Sequence, residues 1–296
     1  MANKSWLISF LLISLFLPAC AQKEKESHTA NEAIVSVDQP LEEESFINPE
    51  GKTIEARFLL PRGYERNLIA ENSFAHYLRN LPLKEDGATV SYYDQRKKGN
   101  YGVYEAVVDL EIGKRDLHQC ADAVMRLWAE HHYEQKAYDK IHFNFTNGFR
   151  VDYNEWRKGK RIVVKGNKSY WSQSANPSDS YKSFWKYMEI IFSYAGTLSL
   201  EKELKSVSAE DMKIGDVFIQ GGSPGHAVIV VDMAENKATG KKLFLLAQSY
   251  MPAQEIQILS NPNSEEMGPW YSLDFGEQLR TPEWGFLRGD LKRFDH

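Results

Sequence analysis

Cysteine is nearly missing from this 296-residue chain: Cys20 and Cys120 are its only two. If Cys20 is consumed by modification, no intramolecular disulfide can form, so crosslinks are excluded as the source of stability. Long apolar runs are equally scarce. Trp6 to Pro18 falls short of the roughly 20 residues that a membrane-spanning helix needs, and no second run of membrane length follows. Positive charge is not in excess either. A formal charge of −5 offers no electrostatic case for nucleic acid or anionic lipid. There is no H-E-x-x-H and no cysteine pair, and His118 and His131 lie thirteen residues apart, about 20 Å along a helix. That is too far to share an ion, so neither a metal nor another cofactor is expected. No repeat of fixed period and no low-complexity segment is visible.

What the N-terminus does contain is a targeting pattern. Lys4 precedes the short apolar run, which ends at Leu17-Pro18-Ala19-Cys20. This reads as a signal peptide over residues 1–19, and the last four residues resemble the lipobox cut by lipoprotein signal peptidase. The resemblance implies acylation of Cys20 and a membrane tether through its acyl chains, on the periplasmic or surface face of the outer membrane. Residues 20–50 carry a lysine and glutamate cluster and an acidic run, with few large apolar residues. They read as a solvated tether.

The remaining residues, 51–296, suffice for a substantial core. Within 51–115, an N-terminal α+β lobe is expected. Thr53 to Leu60 reads as a strand, Phe74 to Leu81 as a short helix capped by Ser73, and Ala88 to Tyr93 and Val103 to Ile112 as strands. The strongest helix follows in the segment 116–296. Asp116 is its expected cap, and Leu117, Cys120, Ala121, Val124, Leu127, Trp128 and His131 recur on one face at spacings of three and four. Arg161 to Lys165 reads as a strand and Tyr181 to Tyr194 as a helix. Asp216 to Gln220, His226 to Met233 and Leu243 to Ser249 read as three apolar strands joined by turns. A helix followed by an antiparallel meander is an α+β pattern.

The chemistry-bearing residues sit on that helix and meander. Gly215-Asp216-Val217-Phe218, a glycine turn, and Gly225-His226-Ala227-Val228-Ile229-Val230-Val231 resemble the centre of papain-like amidases and peptidases. The likeness is greatest to the CHAP and NlpC/P60 cell-wall hydrolase branches. It implies a papain-like core in which Cys120, early in its helix, is the nucleophile, His226 its base, and Gln248 the residue that orients the histidine. A spacing of 106 residues between Cys120 and His226 requires an insertion over 141–212, and the context Gln119-Cys120-Ala121 departs from the usual Asp-Cys-Ser/Gly. Across its whole length the chain also resembles a family of Gram-negative lipoproteins known as domain of unknown function 4846, which supplies no mechanism.

The physical logic of the three residues stands apart from any family. A helix N-terminus and a neighbouring imidazolium would both lower a thiol pKa. An amide oxygen on one ring nitrogen fixes the tautomer and leaves the other nitrogen for sulfur. Attack on an amide would give a thioester, with the Cys120 N–H as one oxyanion donor. Two classes of function follow. One is a thiol-dependent amidase or peptidase acting on an envelope substrate such as a peptidoglycan stem. The other is a non-catalytic lipoprotein that binds glycan or protein, in which Cys120 is a small core residue. Trp156, Tyr170, Trp171, Trp185, Trp270 and Trp284 would then be available for sugar stacking, with Tyr170 and Trp171 the pair expected at the surface. Gly221-Gly222-Ser223-Pro224-Gly225 matches the letters of a serine-hydrolase elbow, but a β-branched strand follows where that motif needs a helix.

Overall fold

A computed structural model describes residues 45–99 and 102–295. The expected signal peptide, Cys20 and nearly all of the expected tether lie outside these residues. The first surprise is local. Thr53 to Leu60 is not a strand: Thr53 accepts the Ala56 N–H at 3.2 Å and caps a one-turn helix, α1 (Ile54–Arg57). Alternation over so few residues does not separate a strand from a helical turn with two buried positions. β1 (Glu65–Arg66) and α2 (Phe74–Arg79) follow, the latter capped by Ser73 as its sequence predicts, with 3.1 Å from its hydroxyl to the His76 N–H. Ala88 to Tyr93 forms isolated bridges only, and the long strand expected over Val103 to Ile112 shrinks to β2 (Tyr104–Val107).

α3 (Cys120–Glu134) begins later than expected. Asp116 does not cap it. Its carboxylate accepts from the Gln119 side chain at 3.0 Å and from Ala253 N–H at 2.7 Å, pinning the approach to the helix onto a distant loop. Gln119 is the N-cap, and its N–H donates to Asp122 at 3.1 Å. Cys120 is therefore the first helical residue. His118 precedes the helix instead of lying on it, and its Nδ1 is 3.3 Å from the Gln254 carbonyl. Among the described residues, no cluster of three His, Cys, Asp or Glu is arranged to hold a metal.

The segment 141–212 carries two hairpins, β3 (His142–Asn144) with β4 (Arg150–Asp152) and β5 (Lys160–Lys165) with β6 (Lys168–Gln173). Helix α4 (Tyr153–Arg157) lies between the hairpins, and α5 (Tyr181–Tyr194), α6 (Thr197–Glu203) and β7 (Lys205–Ser206) follow them. The meander is β8 (Val217–Gln220), β9 (His226–Glu235) and β10 (Lys242–Gln248). β11 (Gln257–Leu259), β12 (Tyr271–Ser272), β13 (Gln278–Arg280), β14 (Gly285–Leu287) and β15 (Leu291–Arg293) complete the chain. The main antiparallel sheet has nine strands, in the order β2-β11-β10-β9-β8-β15-β7, with β1 added to β9 and β12 to β10. The protein is thus α+β. Because β1 and β2 belong to this sheet, the described residues of 51–115 share the core of the rest, and together the described residues form one compact unit.

Strand alternation gives this sheet two apolar faces. Ala227, Ile229 and Val231 pack with Ala121, Val124 and Leu127 of α3. Val228 and Val230 pack with Phe218, Phe244 and Phe286 on the other side. The Gly215-Asp216 turn closes the sheet: Gly215 adopts φ +97° where a Cβ would meet Phe74 at 2.9 Å. The Asp216 carboxylate accepts from Arg293 at 2.6 and 2.8 Å, tying β15 to β8. Its role is structural.

Candidate functional site

Three elements deliver the three residues singled out by sequence. α3 ends its N-terminus against the start of β9, so that Cys120 Sγ lies 3.9 Å from the Gly225 carbonyl oxygen and beside the Ala227 N–H. Those two backbone groups flank His226, which places the sulfur level with His226 along the strand. Gly225 lets the turn between β8 and β9 close against α6: a Cβ there would meet Thr197 Oγ1 at 2.5 Å and the Gln220 carbonyl at 2.7 Å. His226, Gln248 and Gln220 project to the face opposite α3, as their parity with Val228, Leu246 and Phe218 requires. His226 Nε2 and Gln248 Oε1 are 2.8 Å apart, which leaves Nδ1 as the other ring nitrogen, while Cys120 meets the strand from the α3 side, at the Gly225 carbonyl.

Aromatic rings wall in the imidazole. Tyr250, Trp284 and Phe286 have ring centroids 4.8, 5.5 and 5.9 Å from it. Tyr250 also connects the histidine to the cysteine. Its phenol pKa is raised by burial first, then by Glu283 and by Cys120. Cys120 opens onto a cleft of about 410 Å³, lined also by Asp122, Thr146, Phe192, Thr197, Leu198 and Met251. His226 lies behind this cleft and is 1 % exposed.

Burial decides the protonation states. It pushes the Cys120 thiol up to about 11, although N–H groups of Ala121, Cys120 and Ala227 pull the other way. It pushes His226 down to about 4, against the Gln248 hydrogen bond. The sequence-based expectation of a lowered thiol pKa therefore reverses, because desolvation outweighs the helix terminus. At neutral pH Cys120 rests as a thiol and His226 as a neutral imidazole.

This has a measurable consequence. At pH 8 a thiol of pKa 11 is ionised about 100-fold less than one of pKa 9. Iodoacetamide should thus label the Cys120 peptide about 100-fold more slowly in the native state than in urea, with a midpoint near 11. Ready native labelling near pH 6 would refute this and restore an ion pair. The linkage signs follow. As pH rises from 9 to 11 the unfolded thiol ionises first, so stability falls; as pH drops from 6.5 to 4 the unfolded histidine is protonated first, so stability falls again.

The family can now be placed against this geometry. A model for domain of unknown function 4846 matches residues 54–293. The chain belongs to that family. No curated protein and no solved structure matches it. The domain of unknown function 4846 match spans Cys120, His226 and Gln248, leaving out residues 1–53 and the last three.

The aromatic candidates separate. Trp156 and Trp270 are core residues. Tyr170 is 43 % exposed, whereas Trp171 packs 6.0 Å from Phe149. Neighbours on β6 point to opposite faces, so this pair forms no single platform, and neither residue lines the Cys120 cleft. Trp284 instead covers His226 and donates to Gln220 Oε1 at 2.9 Å. The sequence reading missed Glu283, Lys98 and Tyr250. Glu283 accepts from Gln248 Nε2 at 2.7 Å and from Lys98 at 2.7 Å. The one hint in the sequence was the charged Glu283 directly before Trp284 and Phe286.

Proposed function

We propose that the chain is a thiol-dependent amidase or peptidase with a papain-like site, in which Cys120 is the nucleophile, His226 the base and Gln248 the orienting residue. The observation that carries the reading is the 2.8 Å His226–Gln248 pair on a strand whose preceding residue, Gly225, has its carbonyl 3.9 Å from the sulfur of a helix-initiating cysteine. Because both partners rest neutral, Sγ attacks the carbonyl carbon as its proton passes to His226 Nδ1. The tetrahedral oxyanion takes the Cys120 N–H. Nδ1–H then protonates the leaving amine, giving a thioester, and water activated by Nδ1 hydrolyses it to the acid and the free thiol.

The substrate class we assign is an amide of the cell envelope, such as a peptidoglycan stem peptide. The assignment leans on the lipobox-like Leu17 to Cys20, which would anchor the protein to the outer membrane by acyl chains. Among the described residues no helix is long and apolar enough to cross a membrane. Replacing Cys20 by alanine should leave the leader uncleaved or release the protein from the membrane fraction. A Cys20→Ala protein still acylated would rule the anchor out. The activity is tested by incubating purified peptidoglycan with the protein and with Cys120→Ala, then weighing released fragments by mass spectrometry. New amine and carboxyl termini should form with wild type only; equal release by both would sink the reading. An inert protein that still retains glycan would favour the binding class, for which half-exposed Tyr170 is the surface candidate.

A further inference from the structure

An amide side chain has nearly the same shape either way round, so Gln248 by itself could accept from His226 Nε2 or donate to it. These alternatives have opposite chemical results. Accepting holds the proton on Nε2 and leaves a lone pair on Nδ1; donating moves the proton to Nδ1 and removes the base that the thiol needs. Glu283 breaks the ambiguity. Its carboxylate has only acceptor atoms when ionised, and Oε2 sits 2.7 Å from Gln248 Nε2. The same oxygen accepts from Lys98 Nζ at 2.7 Å.

Lys98 is the unusual member. Its side chain is 3 % exposed, and its ammonium lies 3.5 Å from Gln257 Oε1 and 5.8 Å from the centroid of the Tyr250 ring. A cation so buried is costly unless paired, and Glu283, 16 % exposed, is its salt-bridge partner. The pair comes from two loops far apart in sequence and converges on Gln248, the partner of His226. Each bond in the line Lys98, Glu283, Gln248, His226 has one permitted direction once the first is charged.

We infer that Glu283 is a positioning residue, which through Gln248 holds His226 in the Nε2–H tautomer, and that Lys98 keeps Glu283 in place. The role rests on the proposed function for its purpose, yet its readout needs no substrate. Long-range proton–nitrogen NMR of the whole ¹⁵N-labelled protein at pH 7.5 distinguishes the tautomers directly. In wild type, His226 should show a protonated Nε2 and a bare Nδ1. Glu283→Ala frees the Gln248 amide to turn, so both nitrogens should move to intermediate shifts as tautomers mix. Glu283→Gln should restore the wild-type pattern, since one amide oxygen can accept from both Lys98 and Gln248.

Glu283→Ala leaves Lys98 unpaired and could unfold, so the double variant Lys98→Met with Glu283→Ala, which removes the stranded charge, is measured beside it. A pure Nε2–H tautomer in either folded alanine variant would overturn the inference, since a merely structural ion pair changes stability and leaves the tautomer alone. Loss of cleavage in the peptidoglycan assay with normal tautomer results would sink the function and spare the positioning. If cleavage is present, Glu283→Ala should lower kcat about tenfold or more with little change in KM, the result of a base held in the wrong tautomer for part of the time.

Discussion

Cys120→Ala is expected to lower amide cleavage at least on the order of 10³-fold, and His226→Ala by a comparable amount. The double variant should be scarcely worse than either single one, because residues that act as one unit lose their function together. This non-additivity is the informative part. With a thiol near 11 and an imidazole near 4 in the resting protein, sulfur in the proposed reaction cannot be an effective nucleophile without handing over its proton. Removing His226 should therefore cost as much as removing the sulfur. Cys120→Ser gives a further check, since a hydroxyl is a still poorer proton donor to the same base. Additive losses, or a His226→Ala protein within tenfold of wild type, would mean that Cys120 works without this histidine.

The second large effect concerns stability. Asp232→Ala should cost about 3–5 kcal/mol, the usual result of stranding one side of a buried ion pair. Asp232 is fully buried, accepting from Arg66 Nε and Arg79 Nε, each at 2.7 Å, and from Met233 N–H at 2.8 Å. Arg79 also donates to the Asn67 carbonyl at 3.0 Å, and Arg66 to the Glu55 carbonyl at 3.1 Å. One carboxylate on β9 thus fastens α1, β1 and α2 to the central sheet. It sits at a β-bulge, where β9 has one residue more than β10 between Asp232 and Val230; the extra residue lets Asp232 turn toward both arginines. Guanidinium denaturation measures the loss, which should appear as a lower midpoint with an unchanged slope. Asp232→Asn, which keeps the shape and one acceptor, should fall between. A cost below about 1 kcal/mol for Asp232→Ala would mean that water reaches the arginines and screens them.

Several parts of the molecule could be read without coordinates because their information is local. Period-two alternation in His226 to Val231 and Leu243 to Gln248 fixes which residues share a face, so the meeting of His226 with Gln248 follows once β9 and β10 pair. Ser73 before Phe74 identifies a cap by its hydroxyl. The amphipathic stripe from Ala121 to Trp128 marks a helix by its spacing.

What needed the tertiary structure was set by contacts between distant segments. Ala253 captures the Asp116 carboxylate across 137 residues, and so α3 starts at Cys120 and brings the sulfur to the very end of the helix. Lys98 and Glu283, 185 residues apart, meet only because two loops come together beside Gln248 at the end of β10. The protonation states depend on exclusion of water, a property of the packed site and not of any residue type. The residue types of Cys120 and His226 announce a thiol and an imidazole; burial alone turns the expected ion pair into a neutral one.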